Sequence, residues 1–167
     1  MAELTTQERL QPSLLDRLTD DEPGKADESR EKRVISATRL RDCVARDMSW
    51  LLNCVNLRAE ETLAYYPEVA SSVLNFGIPD LTGAALSGIK PEVLQRQVRD
   101  AILAFEPRLT PGTLSVTVQS DTQRMDRQSL VFNISSEMWA QPIPLNLYLK
   151  TEVDLETGRF NVSESFG

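Results

Sequence analysis

The sequence predicts an α+β domain in which N-terminal helices pack on a mostly antiparallel C-terminal sheet. The 167 residues suffice for one compact domain with a short appendage. Up to about residue 105, apolar side chains recur every three or four positions, as in amphipathic helices. Beyond Pro111-Gly112 they alternate with polar side chains, as in strands with one buried face. Helices followed by consecutive strands are typical of a sheet covered on one face.

The composition argues against several classes of function. With 18 basic and 25 acidic side chains the net charge is −7, which would repel a nucleic-acid backbone. The chain has no histidine, so the commonest general base near neutral pH and the commonest zinc ligand are both missing. No apolar run of about 18 residues and no secretory signal occur. We therefore expect a cytoplasmic protein without membrane insertion, metal or cofactor.

Residues 1–33 are expected to form an N-terminal leucine helix and a charged linker, ahead of the main domain at 34–167. The helix is predicted over residues 7–19, and its leucines share one face: Leu10, Leu14, Leu15 and Leu18. The linker at 20–33 is rich in both signs of charge and contains a Pro-Gly pair, which favours a solvated spacer. So short a helix is marginal alone. Its leucines must pack either on the protein's own core or in a partner's groove.

The main domain is expected to begin with an amphipathic helix from about Val34 to Val55. Its apolar positions recur on one face: Ala37, Leu40, Val44, Met48, Leu51 and Val55. Trp50, at the edge of this face, is interpreted as a core or rim anchor. Cys43 and Cys54 are predicted to lie on this helix, roughly 16 Å apart along its axis. That separation is too large for a disulfide, so we expect free thiols.

The rest of the chain is predicted to form two further helices and four strands. A short helix opens at Pro67, with Gly77 as a left-handed stop, and a longer one runs from Pro91 to near Phe105. Pro107 disfavours helical angles in the preceding residue and so ends the longer helix. The strands have these apolar positions: Leu114, Val116 and Val118; Leu130, Phe132 and Ile134; Leu145, Leu147 and Leu149, continuing toward Val153 and Leu155; Phe160 and Val162.

The search for catalytic chemistry finds one weak candidate. No phosphate loop, dinucleotide-binding motif or nucleophile elbow is present. Paired carboxylates can hydrolyse glycosides without histidine, and Glu106 is the best candidate acid. However, Arg108 would stabilise the ionised form of Glu106, which is the opposite of what a general acid needs. We therefore expect no enzymatic activity.

The triplet Glu106-Pro107-Arg108 has a structural logic of its own. Proline stiffens the backbone between a carboxylate and a guanidinium fork, and such a unit can hold a buried polar junction. Taken alone, the triplet is also compatible with a helix end carrying a local ion pair. Its wider context is more specific, because four segments occur in order: LQPSLLDRL, FGIPDLTG, AILAFEPRL and PIPLNLYLKTEVDLETG. Together they resemble the TssE family, whose members are baseplate-wedge subunits of the bacterial type VI secretion system, related to a small wedge protein of contractile-tailed phages.

The resemblance implies a structural role in a contractile injection machine. It implies TssF and TssG as wedge partners, TssK as a further neighbour, and the TssB/TssC sheath as the polymer whose assembly the protein helps to initiate. The triplet is the family's signature, and with it the expected partner-binding residues are Glu106, Pro107, Arg108, Leu10, Leu14, Leu15 and Leu18. The sheet is expected to resemble the sheath's strand-exchange domain, with an open edge. The alternatives are a peptidoglycan-cleaving, lysozyme-like enzyme and a soluble adaptor unrelated to injection.

Overall fold

The computed structural model confirms the α+β class. It describes residues 13–19, 23–24, 36–57, 63–82, 90–120, 129–139 and 144–164. Within these ranges the α-helices are α1 (Leu14–Leu18), α2 (Ala37–Leu52), α3 (Pro67–Ala70) and α4 (Pro91–Phe105). Short 3₁₀ turns cover Leu63–Tyr65, Val73–Asn75 and Pro111–Thr113. The strands are β1 (Ser115–Ser120), β2 (Ser129–Met138), β3 (Leu145–Asp154) and β4 (Arg159–Glu164).

The four strands form an antiparallel sheet in the order β1-β2-β3-β4. One row across the sheet shows the register: Val118 lies opposite Phe132, Phe132 opposite Thr151, and Thr151 opposite Val162. Buried and more exposed side chains alternate along β2 and β3. The apolar residues of the predicted strands therefore share one face, and the opposite face is polar.

Helices α2 and α4 cover the apolar face of the sheet. α2 lies next to β4 and α4 next to β1. Val44 and Met48 of α2 and Val98 and Ile102 of α4 are fully buried, and each such side chain is worth roughly 1.5 to 3 kcal/mol of burial. In the described part of the chain, no helix is both long and apolar enough to cross a bilayer. The domain thus has two layers, and its core lies between them.

The predicted N-terminal helix is observed only from Leu14 to Leu18, and residues 7–12 lie outside the described ranges. Ser13 caps it, because its hydroxyl oxygen accepts the backbone N–H of Asp16 at 3.3 Å. Residues 34–35 of the next predicted helix also lie outside the described ranges.

The C-terminal end of α2 differs from the prediction, which placed Val55 in the apolar face and Cys54 on the helix. The helix ends at Leu52, and the side-chain amide of Asn53 donates to the Ser49 carbonyl oxygen at 2.7 Å. Cys54 is therefore exposed beyond the helix, and Val55 is 54% exposed rather than buried. Both cysteines are free thiols, as expected.

Gly77 has the predicted positive φ, but it does not end a helix. α3 ends at Ala70, and Gly77 instead lies where the chain returns to the end of α2. The next residue, Ile78, donates its backbone N–H to the Cys54 carbonyl oxygen at 2.9 Å. A Cβ atom on Gly77 would lie 2.3 Å from that oxygen, and φ is +119°. Only glycine fits this close approach.

We predict that Gly77→Ala lowers the free energy of unfolding by about 1 to 3 kcal/mol, because the added methyl group meets backbone at a strained φ. Urea denaturation followed by circular dichroism measures the loss. Gly112→Ala is the matched control, since a Cβ atom there meets nothing within 4 Å. Equal stability of the two variants would contradict the close approach of residue 77 to α2.

Candidate functional site

The Glu106-Pro107-Arg108 triplet forms a turn at the end of α4. Glu106 caps the helix through its backbone N–H, which donates to the Ile102 carbonyl oxygen at 2.9 Å, and its side chain is buried. Arg108 folds back on it: Nε donates to Glu106 Oε1 at 2.7 Å, and Nη2 donates to Oε2 at 2.5 Å. The Arg108 backbone N–H adds a third bond to Oε1 at 3.1 Å. Both carboxylate oxygens are therefore bonded within the triplet.

Arg108 also reaches across to α2. Its Nη2 donates to Asp47 Oδ2 at 2.6 Å, so one guanidinium joins two carboxylates. Burial opposes the charge of Arg108, but the hydrogen bonds and charges of Glu106 and Asp47 outweigh it and raise the pKa of Arg108. The remaining nitrogen, Nη1, is buried without a hydrogen-bond partner among the described residues.

The residues after the triplet join it to the sheet. The Arg108 carbonyl oxygen accepts the backbone N–H of Trp139 at 2.8 Å, and Thr110 donates its N–H to the Glu137 carbonyl oxygen at 2.8 Å. Between these bonds, Leu109 lies opposite Met138 in an antiparallel bridge. The triplet thus lies where α4, α2 and the end of β2 meet.

The ion pairs continue from Asp47 to α1. Arg46 donates to Asp47 Oδ1 through Nε at 2.9 Å and Nη2 at 2.8 Å, and its Nη1 donates to Asp16 Oδ1 at 2.7 Å. We call the connected set Asp16, Arg46, Asp47, Arg108 and Glu106 the charge network. Its acidic and basic members alternate, and it links the two sequence motifs that were predicted to bind partners.

Asp16 is the member that α1 contributes to the charge network. Its side chain is only 6% exposed. Burial opposes its charge, but hydrogen bonds from Ser13, Arg46 and the Cys43 thiol lower its pKa. Burial, followed by the hydrogen bond to Asp16, raises the pKa of Cys43. Because the pKa of Asp16 is lowered on folding, its stabilising contribution is present above about pH 4 and is lost as pH falls through the lowered value.

The leucines of α1 point away from the contact between Asp16 and Arg46 of α2. Leu14 is 70% exposed and Leu18 is 74% exposed, while Leu15 is partly covered. Leu10 lies outside the described residues. In the described part of α1 the polar side therefore faces α2, and the leucines face outward.

The sequence pattern did not identify Arg46 or Asp47 as site residues. Both lie between the apolar positions Val44 and Met48 of the predicted helix. Their adjacency within a helix gave no signal, because their partners Asp16 and Arg108 are 30 and 61 residues away. Trp50, expected at the core or its rim, is 50% exposed, and the Arg46 guanidinium lies 5.1 Å from its ring centre.

Glu106 does not have the setting of a general acid. Glu106, the candidate acid, is buried, and both of its oxygens are bonded to Arg108. Among the described residues, no three cysteine or carboxylate side chains are arranged to hold a metal ion. What the site provides is a rigid polar junction between helices and sheet.

The outer edge of β4 is a second feature with potential for binding. Asn53 caps part of it: its side chain accepts the Phe160 backbone N–H and donates to the Phe160 carbonyl oxygen, both at 3.0 Å. The backbone groups of Phe160 therefore point away from β3. Because alternate residues of an antiparallel strand point the same way, those of Val162 and Glu164 also face this edge. Among the described strands, only β3 pairs with β4.

We predict that Glu106→Gln lowers the free energy of unfolding by roughly 1.5 to 3 kcal/mol, because Arg108 loses charge-assisted hydrogen bonds in a buried setting. Chemical denaturation at pH 7 measures the change. Glu156→Gln, at an exposed turn position, is the matched control and should be close to wild type. If Glu106→Gln is as stable as this control, the junction does not stabilise the fold.

Comparison with known proteins adds one match. The family model described as baseplate wedge protein gp25 matches residues 38–143. The matched segment includes Arg46, Asp47 and the whole triplet, but it begins after α1. No curated protein and no solved structure matches the chain.

Proposed function

This chain belongs to the family of the baseplate wedge protein gp25, and from that membership we propose that it is a structural baseplate subunit of a type VI secretion system. It joins the TssF and TssG wedge proteins, with TssK as a further neighbour, and helps to start polymerisation of the TssB/TssC sheath. The family match over residues 38–143 carries this proposal. It includes α2 from residue 38 onward, α4, β1, β2 and the triplet, while β3 and β4 lie beyond it.

The triplet supports a structural rather than an enzymatic role. Its charged groups bond one another and Asp47, which suits a junction that keeps its shape under load. Within the triplet, Pro107 is exposed, and 24% of the Arg108 side chain is exposed. The triplet therefore forms a firm surface for contact with wedge partners. Pro107 and Arg108 are accessible there, and the buried Glu106 carboxylate holds Arg108 in place. A cell-wall hydrolase would instead need its acid open to substrate.

The leucine helix is proposed to dock in a groove of the TssF/TssG core. The exposure of Leu14 and Leu18 supports this, because two apolar side chains on one face of a short helix are available to a partner. Leu10 and Leu15 belong to the same proposed face. Burying each leucine is worth roughly 1.5 to 3 kcal/mol, enough for a useful anchor.

We predict that the full chain co-purifies with TssF and TssG, and that Leu14→Asp with Leu18→Asp weakens this binding at least tenfold. The thermal midpoint of the isolated variant should stay close to wild type, since both leucines are exposed. Leu74→Asp is the control, because Leu74 is 69% exposed outside α1.

The outcomes separate the parts of this proposal. Failure of the wild-type chain to bind TssF and TssG would overturn the wedge role. A large fall in the thermal midpoint of the double variant would place the leucines in this protein's own core. Unchanged binding of the double variant would remove the leucine helix from the interface.

The open edge of β4 is proposed to accept a strand from the first sheath subunits. Strand addition uses outward backbone donors and acceptors, which Val162 and Glu164 present, while Asn53 occupies those of Phe160. An added strand would therefore pair with the β4 edge only beyond Phe160.

We predict that Glu164→Pro reduces sheath initiation in cells without preventing incorporation into the wedge, because proline removes an outward N–H. Counting fluorescent sheaths measures initiation, and co-purification with TssF measures incorporation. Glu164→Ala is the control: it loses the carboxylate near Arg41 but keeps the N–H. Normal sheath numbers with Glu164→Pro would contradict strand addition at this edge.

A further inference from the structure

Within the charge network, Arg46 is the residue that bonds both Asp16 of α1 and Asp47, the carboxylate that also binds Arg108 of the triplet. Its Nη1 holds Asp16 on α1, while Nε and Nη2 hold Asp47. Its Cζ lies over the Trp50 ring, 5.1 Å from the ring centre. Three nitrogens of one guanidinium are thus bonded to two carboxylates while its carbon lies over an aromatic ring. A lysine ammonium could not reproduce this geometry.

We propose that Arg46 is a positioning residue that holds α1 against α2 and couples it to the Glu-Pro-Arg triplet. The leucine helix and the triplet are thereby held in one fixed arrangement. The use of that arrangement by a wedge partner rests on the proposed function, whereas the positioning itself is a property of the isolated chain.

The position of α1 depends on its polar contacts. A helix of five residues does not hold together by itself, because nucleation costs more than so few hydrogen bonds return. Leu14 and Leu18 are mostly exposed, so they add little burial against the domain. Among the described residues, the contacts that remain are those of the partly covered Leu15 and of Asp16, which bonds Arg46 and is almost fully covered. Loss of Arg46, the partner of Asp16, should therefore release α1 from α2.

The coupling passes through the two oxygens of Asp47. Oδ1 accepts Arg46 and Oδ2 accepts Arg108, so each guanidinium restricts the carboxylate that orients the other. Glu106 fixes Arg108 from the opposite side. A helix already held in place loses less entropy on binding, which favours tighter association with a partner groove.

Cys43 provides a direct reporter of α1. Cys43 is buried and lines one cavity together with Asp16 and Arg46, whereas Cys54 is exposed. In a Cys54→Ser background, the rate at which 5,5′-dithiobis(2-nitrobenzoic acid) modifies the remaining thiol measures how often α1 leaves its place. Labelling the full-length, isolated protein at pH 8 and in low urea distinguishes local opening from global unfolding, because only the latter accelerates steeply with urea.

We expect Arg46→Met to speed Cys43 labelling roughly tenfold, the equivalent of about 1.4 kcal/mol, with little urea dependence. The charge of Arg46 lowers the pKa of Cys43, so its loss does not by itself make the thiol more reactive. Arg46→Lys should speed the labelling as well, because a lysine ammonium keeps the charge but cannot bond Asp16 and Asp47 in the same geometry. Arg108→Lys should speed the labelling less, because it disturbs Arg46 only indirectly, through the Asp47 carboxylate that both arginines bond. Arg99→Met, an exposed position on α4, is the control and should match the background.

Labelling of Arg46→Met at the rate of the control would overturn the positioning role. Wild-type labelling in Arg108→Lys would overturn the coupling to the triplet. A rise in rate that follows urea as global unfolding does would show that Arg46 acts on the whole fold instead of on α1. None of these results depends on TssF or TssG, so they are independent of the proposed wedge role.

Discussion

The arrangement of the domain depends on the bonds that Arg108 makes to Glu106 and Asp47. They join the end of α4 to the middle of α2, immediately before the chain enters the sheet beside β2. A carboxylate as buried as Glu106 is costly unless it is paired and hydrogen-bonded, and Arg108 supplies both. The same guanidinium fixes Asp47, and through Arg46 it fixes the place of α1. One junction therefore orients two helices and the entry to the sheet.

The fold could be predicted where periodicity alone decides it. The apolar repeats of α2 and α4 and the alternation of the four strands were sufficient for the α+β class, and Pro107 correctly ended α4 near Phe105. The end of α2 could not be predicted in this way. Asn53 stops the helix while its side chain pairs with Phe160, a residue 107 positions later. Gly77 was recognised as special, but its reason is a tertiary approach to Cys54 that no local rule contains.

Only the contacts between residues close together in the sequence could be predicted for the site. Glu106 and Arg108 are two residues apart, so a bond between them follows from proximity, and the structure contains it. The links to Asp47 and Asp16 join distant segments, and a charged residue on an otherwise amphipathic helix does not reveal its partner. The structure also shows that exposed leucines and a buried aspartate share α1. The sequence had left the leucines' destination open, because periodicity defines a face but not what covers it.

A structural role in a baseplate wedge fits a domain whose charged motif closes a junction instead of opening a catalytic cleft. The most direct test of this account is a double-mutant cycle on unfolding free energy with Asp47→Ala and Arg108→Ala. The account predicts a coupling energy of about 1 to 2 kcal/mol, whereas Asp47→Ala combined with Arg99→Ala should be additive. Additivity of Asp47→Ala and Arg108→Ala within about 0.5 kcal/mol would contradict the claim that this junction holds the helices together.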